Sequence, residues 1–411
     1  MTRPTMGAAL VAASMAIVAC AGDGSTSEEE PSDVTAIETT SADTVTTNTD
    51  GVVSPTTQDT STASSTRPGT IPATTTQRTE GTRRPGTTTP DTRPPITGNF
   101  PIQAVAEESA FPRLPLVGNV LDQEQLSPDR PALVVKIDNA PPSTPQSGLN
   151  EADVVFEEII EYGITRFAAV FHSQSANPVG PIRSGRTQDV NMLGSLNQPL
   201  FAWSGGNAGV TQAIEDSDLV NLNALYTPGY FRTTDRSAPH NLYSSTDALW
   251  ARAPAGAPQP GPLFRYLDPR ETLGDGLDTS TSSGAEMSVG SLRVRWEWSP
   301  ETGTYRRLQY GSAHMTADSG QVNTQNLVIL KMAYKPSPVD ARSPEAQTLG
   351  EGPAVVLAGG KVIRGHWVRE ERTDMFALYQ GIGQDAKPIK LPAGRTFVEL
   401  MDLNTADAAM I

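Results

Sequence analysis

The segment Gly180-Pro181-Ile182-Arg183-Ser184-Gly185-Arg186 is the densest constellation of chemistry-bearing residues in the chain, a Gly-Pro turn followed by two arginines three apart with a serine between them. Thr187 to Leu196 continues with helical spacing at Val190, Leu193 and Leu196. The arginines therefore stand at a helix start, where a cation opposes the helix dipole by about 0.3–1 kcal/mol. A negative charge is expected beside them. Either an internal carboxylate such as Asp138, Glu157 or Asp189 supplies it, or a ligand phosphate or carboxylate does, held by forked guanidinium donors and free backbone N–H groups. Pro199–Ser204, Gly205-Gly206 and Ala208–Glu215 read as strand, permissive turn and helix, with Asn207 as N-cap, a geometry that also cradles anions. Arg232, Arg236 and the run Ala238-Pro239-His240-Asn241-Leu242-Tyr243 add a histidine able to act as a base or as a donor to an anion. The expected ligand contacts are Arg183, Ser184, Arg186, Gly205 and Gly206, joined by Arg166, Asn139 and Asn241. Asp138, Glu157 and His240 are the weaker candidates for acid–base catalysis.

The elements that must carry these residues follow from periodicity. Pro131 to Asn139 alternates Leu133, Val135 and Ile137 against Val134, Lys136 and Asp138, a strand with a polar end. Val154–Ile160 and Ile164–His172 form a hairpin or two neighbouring strands across Glu161-Tyr162-Gly163. Glu157 and Arg166 lie on otherwise apolar strand faces, and they are expected to pair with each other, because a lone buried charge is costly. Farther on, Ser291–Ser299 places Val294, Trp296 and Trp298 on one face. Tyr305–Tyr310, Asn326–Tyr334, Phe376–Tyr379 and Thr396–Met401 read as strands, and Pro353–Ala358 with Lys361–Arg369 as a hairpin turning at Gly359-Gly360. Trp296, Trp298 and Trp367 are either core or a carbohydrate-stacking platform.

Conventional catalytic signatures are missing. His172, His240, His314 and His366 have no metal-ligand spacing. There is no G-x-S-x-G elbow, S-x-x-K pair, P-loop or complete dinucleotide fingerprint, so no metal or cofactor is expected.

The ends of the chain have a different composition. Met6 to Ala19 is uncharged and follows Arg3, the layout of a secretory signal, over 1–19, too short for the roughly 20 residues that span a bilayer. Ile17 and Ala19 ahead of Cys20, the single cysteine, form a lipobox, so Cys20 is expected to carry lipid and hold the protein to the outer face of the bacterial cell membrane. Ala21 to Ala106 has no leucine and no aromatic residue before Phe100, while Ser, Thr and Pro recur throughout. Residues 20–106 thus read as the lipidated cysteine and a disordered tether, with an end-to-end distance of about 50 Å. The formal net charge of −15 argues against nucleic acid as a partner. An anionic envelope ligand or a protein partner is expected instead.

Pro131-Ala132 through Asp138-Asn139, Pro145-Gln146-Ser147-Gly148-Leu149, Glu151-Ala152-Asp153, Glu157, Thr165-Arg166-Phe167, Gly180 to Arg186, Gly205-Gly206 and Pro239 to Tyr243 together resemble the YerB-like lipoproteins. The resemblance implies a bacterial lipoprotein with two successive domains, the second beginning near residue 285, and it carries no reaction or ligand. The fold class expected is mixed α/β or α+β: an N-terminal α/β domain over 107–284 and a smaller β-rich C-terminal domain over 285–411, after the disordered stalk.

Overall fold

The computed structural model describes residues 96–101, 111–122 and 127–411. The signal segment, Cys20 and nearly all of the tether lie outside them.

The apolar β-branched runs become strands. β1 (Leu133–Asp138), β2 (Val154–Ile159) and β3 (Thr165–Phe171) are neighbours in the order β2-β3-β1, antiparallel on both sides of β3. After α1 (Gln188–Met192), β4 (Leu200–Trp203) lies parallel to β1. Then α2 (Ala208–Glu215) crosses to β5 (Val220–Asn223), parallel to β4, and α3 (Thr246–Trp250) ends this part of the chain. The helix expected over 187–196 is cut short. It stops at Met192 and gives way to a 3-10 turn, Gly194–Leu196, which itself ends where Asn197 turns into the left-handed region.

The remaining strands of four or more residues are β6 (Gly284–Val289), β7 (Leu292–Ser299), β8 (Thr304–Gln309), β9 (Asn326–Met332), β10 (Tyr334–Ser337), β11 (Asp340–Ala346), β12 (Gly350–Ala358), β13 (Lys361–Arg369), β14 (Ala377–Gln380) and β15 (Thr396–Asp402). The fold is β-rich, with mixed sheets and short helices. β12 and β13 pair from Ala358–Lys361 outward, so Gly359-Gly360 is the two-residue turn expected, with φ of 55° and 73°.

One twelve-stranded sheet runs β14-β13-β12-β9-β15-β2-β3-β1-β4-β5, with two-residue strands at Ser280–Thr281 and Lys387–Pro388 added at its β13 and β14 end. Its middle strand is β15, parallel to β9 on one side and to β2 on the other. A second sheet centred on β6, β7 and β8 covers one face of the first.

Both faces of the large sheet are buried, and side-chain alternation divides them. Leu133, Val135, Ile137, Val155, Phe167, Ala169 and Phe397 pack toward Val294, Trp296 and Tyr305 of the second sheet. Val134, Phe156, Ala168, Val170 and Val398 meet Leu193, Leu196, Trp203 and Ile214 on the opposite side. Trp296 and Trp367 are fully buried in different cores, and Trp298 lies against Tyr305, so the three do not make a stacking platform.

Candidate functional site

Strand register decides which polar groups meet. Glu158, Arg166 and Asp138 lie side by side across β2, β3 and β1 on the helix-bearing face. Glu157 is one residue out of step and faces the second sheet. The expected Glu157–Arg166 pair is therefore not formed, since the sheet itself separates them. Glu157 instead receives Arg307 Nη2 at 2.5 Å, Thr165 Oγ1 at 2.6 Å and Asn139 Nδ2 at 3.1 Å, all in the closed interior. Arg307 also donates to His314 Nδ1 at 2.7 Å, which leaves Nε2 of that ring to donate to Gln146 at 2.8 Å. Burial and Arg307 hold His314 well below its ordinary range. Glu399, beside Glu157 in the parallel pair, is pushed well above the usual carboxylate range by burial and by Glu157, and accepts from Trp296 Nε1 at 2.8 Å. A second carboxyl beside Glu157 on one guanidinium thus favours the neutral form of Glu399.

On the helix-bearing face, Lys136 is enclosed between Glu158 and Asp189, at 2.6 Å from the latter. Burial and the Asp189 charge raise Glu158 to about 7 against the pull of Lys136. Next to this trio stands a group of three arginines. Arg166 is buried, donates from Nη1 to the Ser184 carbonyl at 3.0 Å, and has no partner at Nε. Burial, then the Arg186 and Arg183 charges, lower Arg166 to about 9. Arg186 is held by Glu161, Nε at 2.9 Å and Nη2 at 2.5 Å, and by its own loop at the Gly185 carbonyl.

Arg183 differs. Its Nε reaches Asp138 Oδ2 at 3.1 Å, and neither terminal nitrogen bonds to protein among the described residues. The same Asp138 oxygen receives His240 Nδ1 at 2.6 Å, so imidazole and guanidinium stand side by side on one carboxylate. Both remain partly exposed, 23% for the Arg183 side chain and 21% for that of His240. His240 Nε2 has no protein partner among the described residues.

The two loops flagged by their glycines are neighbours. Ser204 N donates to the Arg183 carbonyl at 3.0 Å, and a methyl group at Gly205 would lie 3.2 Å from Ser184 Oγ. Gly205 and Gly206 have φ of 86° and 156°, and their N–H groups donate to no protein acceptor among the described residues. Asn207 caps α2 through Val210 N at 2.9 Å. Asp138, Trp203 and Asn223 end three parallel strands at one edge, the position where open sheets leave room for ligands. Asn139 and Asn241 are engaged elsewhere, Asn139 with Glu157 and Thr165, Asn241 with Arg232 at 2.7 Å and Thr233 at 2.8 Å. Arg236 braces the same loop on the Ser143 and Pro145 carbonyls.

Asp138, Arg183, Ser184, His240 and the glycine pair, all marked by residue type in the sequence, meet at this edge. Glu161 as the partner of Arg186, and Arg307 and Glu399 as partners of Glu157, are set by the fold. The available signal was a charge inside an apolar strand run, as in Phe397-Val398-Glu399-Leu400.

Two family models match the chain: "Protein of unknown function (DUF3048) N-terminal domain" over residues 116–259 and "Protein of unknown function (DUF3048) C-terminal domain" over residues 285–398. The Bacillus subtilis (strain 168) protein described as "Putative lipoprotein YerB" is 27% identical over 311 residues, covering 74% of this chain and 90% of that protein. The chain belongs to the YerB-like family. The crystal structure of the Bacillus subtilis YerB protein superposes with a TM-score of 0.60 at 24% identity, covering 72% of this chain and 99% of that one. That likeness is one of fold, and the YerB-like assignment brings no ligand with it. No helix among the described residues is long and apolar enough to cross a membrane.

Proposed function

We propose that this YerB-like protein is a cell-envelope lipoprotein, anchored through lipid on Cys20, that binds an anionic group of an envelope ligand or partner at Arg183 and His240. The carrying observation is the cation balance at the sheet edge. Arg166, Arg183 and Arg186 lie close enough to depress Arg166, yet Glu161 is committed to Arg186, Glu158 and Asp189 to Lys136, and Asp138 is shared by Arg183 and His240. A phosphate or carboxylate guest would meet the Arg183 terminal nitrogens, His240 Nε2 and the Gly205-Gly206 N–H groups. Ser184 borders that position, Arg166 supplies charge from below, and Arg186 fixes the loop.

Calorimetric titration of the full chain with inorganic phosphate tests the reading. Arg183→Ala is expected to weaken binding by about tenfold or more, the range for a charge-assisted contact, while urea stability changes by less than about 1 kcal/mol because the Arg183 side chain is partly exposed and His240 still reaches the buried Asp138. Loss of the fold with equal phosphate affinity in the surviving protein would refute it.

The Asp138–His240 contact favours a second reading, an envelope enzyme acting on a phosphate-bearing or glycan substrate. A carboxylate on Nδ1 orients the ring and leaves Nε2 to take a proton. Turnover of p-nitrophenyl phosphate that disappears in His240→Ala would select this reading; a flat trace would retire it for phosphomonoesters.

A further inference from the structure

Among the described residues, five that are not glycine have left-handed backbone: Asn99, Asn197, Gln198, Tyr162 and Tyr310. Asparagine tolerates this region, but a bulky aromatic rarely enters it, because its side chain crowds the backbone there. Tyr162, at φ 62°, precedes Gly163 in the β2–β3 turn, and Tyr310, at φ 52°, precedes Gly311 in the two-residue turn between Gln309 and Ser312. The second is the position that asparagine fills in favourable hairpin turns. Packing does not explain either choice, because Tyr162 is 90% exposed and Tyr310 57%.

Both tips lie at the same end of the two sheets. The β2–β3 turn adjoins the Glu158–Arg166–Asp138 row, and Glu161, which grips Arg186, immediately precedes Tyr162. Ser291 N donates to the Gly163 carbonyl at 2.8 Å, so the β6–β7 turn rests on the β2–β3 turn. The pairing of Val294 with Gln309 puts the Tyr310-Gly311 tip beside that same turn.

We propose that Tyr162 and Tyr310 are ring-stacking contacts for an anionic oligosaccharide whose charged group occupies the Arg183 site; the proposal rests on the anion-binding reading above. Each ring stands at a turn tip between polar or glycine neighbours, Tyr162 between Glu161 and Gly163 and Tyr310 between Gln309 and Gly311. The charges around them have both signs, Glu161 with Arg186 and Asp340 with Arg342 near Tyr162, and Glu157 with Arg307 near Tyr310, which suits neither a lipid surface nor a polybasic contact. A sugar ring offers an apolar C–H face bordered by hydroxyls. It matches an aromatic face set among polar donors, and a chain of such rings spans separate tips.

The test uses the full chain and three probes: inorganic phosphate, a β-linked N-acetylglucosamine hexamer, and that hexamer carrying a terminal phosphate monoester. Wild type should bind the phosphorylated hexamer more tightly than phosphate. In Tyr162→Asn with Tyr310→Asn, that affinity should fall about tenfold toward the value for phosphate, which itself stays unchanged. The melting temperature should hold or rise, since asparagine relieves the backbone conformation. Arg183→Ala should lose phosphate and phosphorylated hexamer together. Equal wild-type affinity for phosphate and phosphorylated hexamer, or unaltered hexamer binding in the asparagine variant, would overturn the stacking proposal and leave the anion site standing. Failure of wild type to bind phosphate in any form would overturn both.

Discussion

Asp138 shows how a single carboxylate can organise a site without neutralising it. One oxygen receives both Arg183 and His240, whose other polar atoms are left for a guest. A residue away, Glu158 offers a measurable signature of the same crowded face. Its folded pKa of about 7 lies above the ordinary 4.5, so the stability it contributes is present below about pH 4.5 and is lost as pH rises through 7. Glu399, also raised, acts in the same direction. His314, held well below its ordinary range, contributes with the opposite sign over the same window, so the test is the difference: the wild-type urea midpoint measured against that of Glu158→Gln should fall as pH rises from 4.5 to 7; superimposable pH profiles would show that the Lys136 trio does not titrate in this range. The sequence disclosed Asp138 as a candidate partner for the arginines, because a polar residue ending an apolar strand has few other uses. It did not disclose Arg307 as the partner of Glu157. A one-residue difference in register moves a side chain through the sheet, and alternation along one strand cannot say which residue of the next strand lies opposite.

Elements were more legible than their contacts. β1 to β4, α2, β7 and the β12–β13 hairpin follow from period-two alternation, turn glycines and the Asn207 cap, all local signals. The helix after Arg186 is shorter than its pattern, since apolar spacing at Val190, Leu193 and Leu196 fits an α-helix that tightens into a 3-10 turn at Gly194 as well as one that continues. What joins the two sheets is more than apolar contact: Arg307 on β8 crosses to Glu157 on β2, with both side chains fully enclosed. Removing one member of such a pair leaves an uncompensated charge, so Arg307→Met is expected to cost about 3–5 kcal/mol in urea unfolding. Arg307→Met combined with Glu157→Gln should recover much of that loss. A double variant as unstable as the single would mean that Arg307 acts through packing over Phe167, Trp296 and Phe397 rather than through its charge.

At the scale of the whole molecule, chain order and spatial order diverge. β15, almost the last strand in sequence, sits in the middle of the large sheet and hydrogen-bonds in parallel to β2, more than two hundred residues earlier. Nothing in a local pattern announces such a neighbour, because parallel pairing carries no turn to mark it. Without β15, β2 becomes an open edge; without the second sheet, the face bearing Leu133, Val135, Ile137, Val155 and Phe167 loses its cover. Residues 107–284 expressed alone are therefore expected to lack a cooperative urea transition and the near-ultraviolet circular dichroism of packed aromatics, and residues 285–411 alone should lack them as well. The two fragments mixed should regain both signals, since the missing strand and the buried Arg307–Glu157 contact are restored together. A sharp transition in 107–284 by itself, with a denaturant slope appropriate to its own size, would instead mean that the β2 edge is stable without its partner and that the continuous sheet is an assembly of two independent folding units.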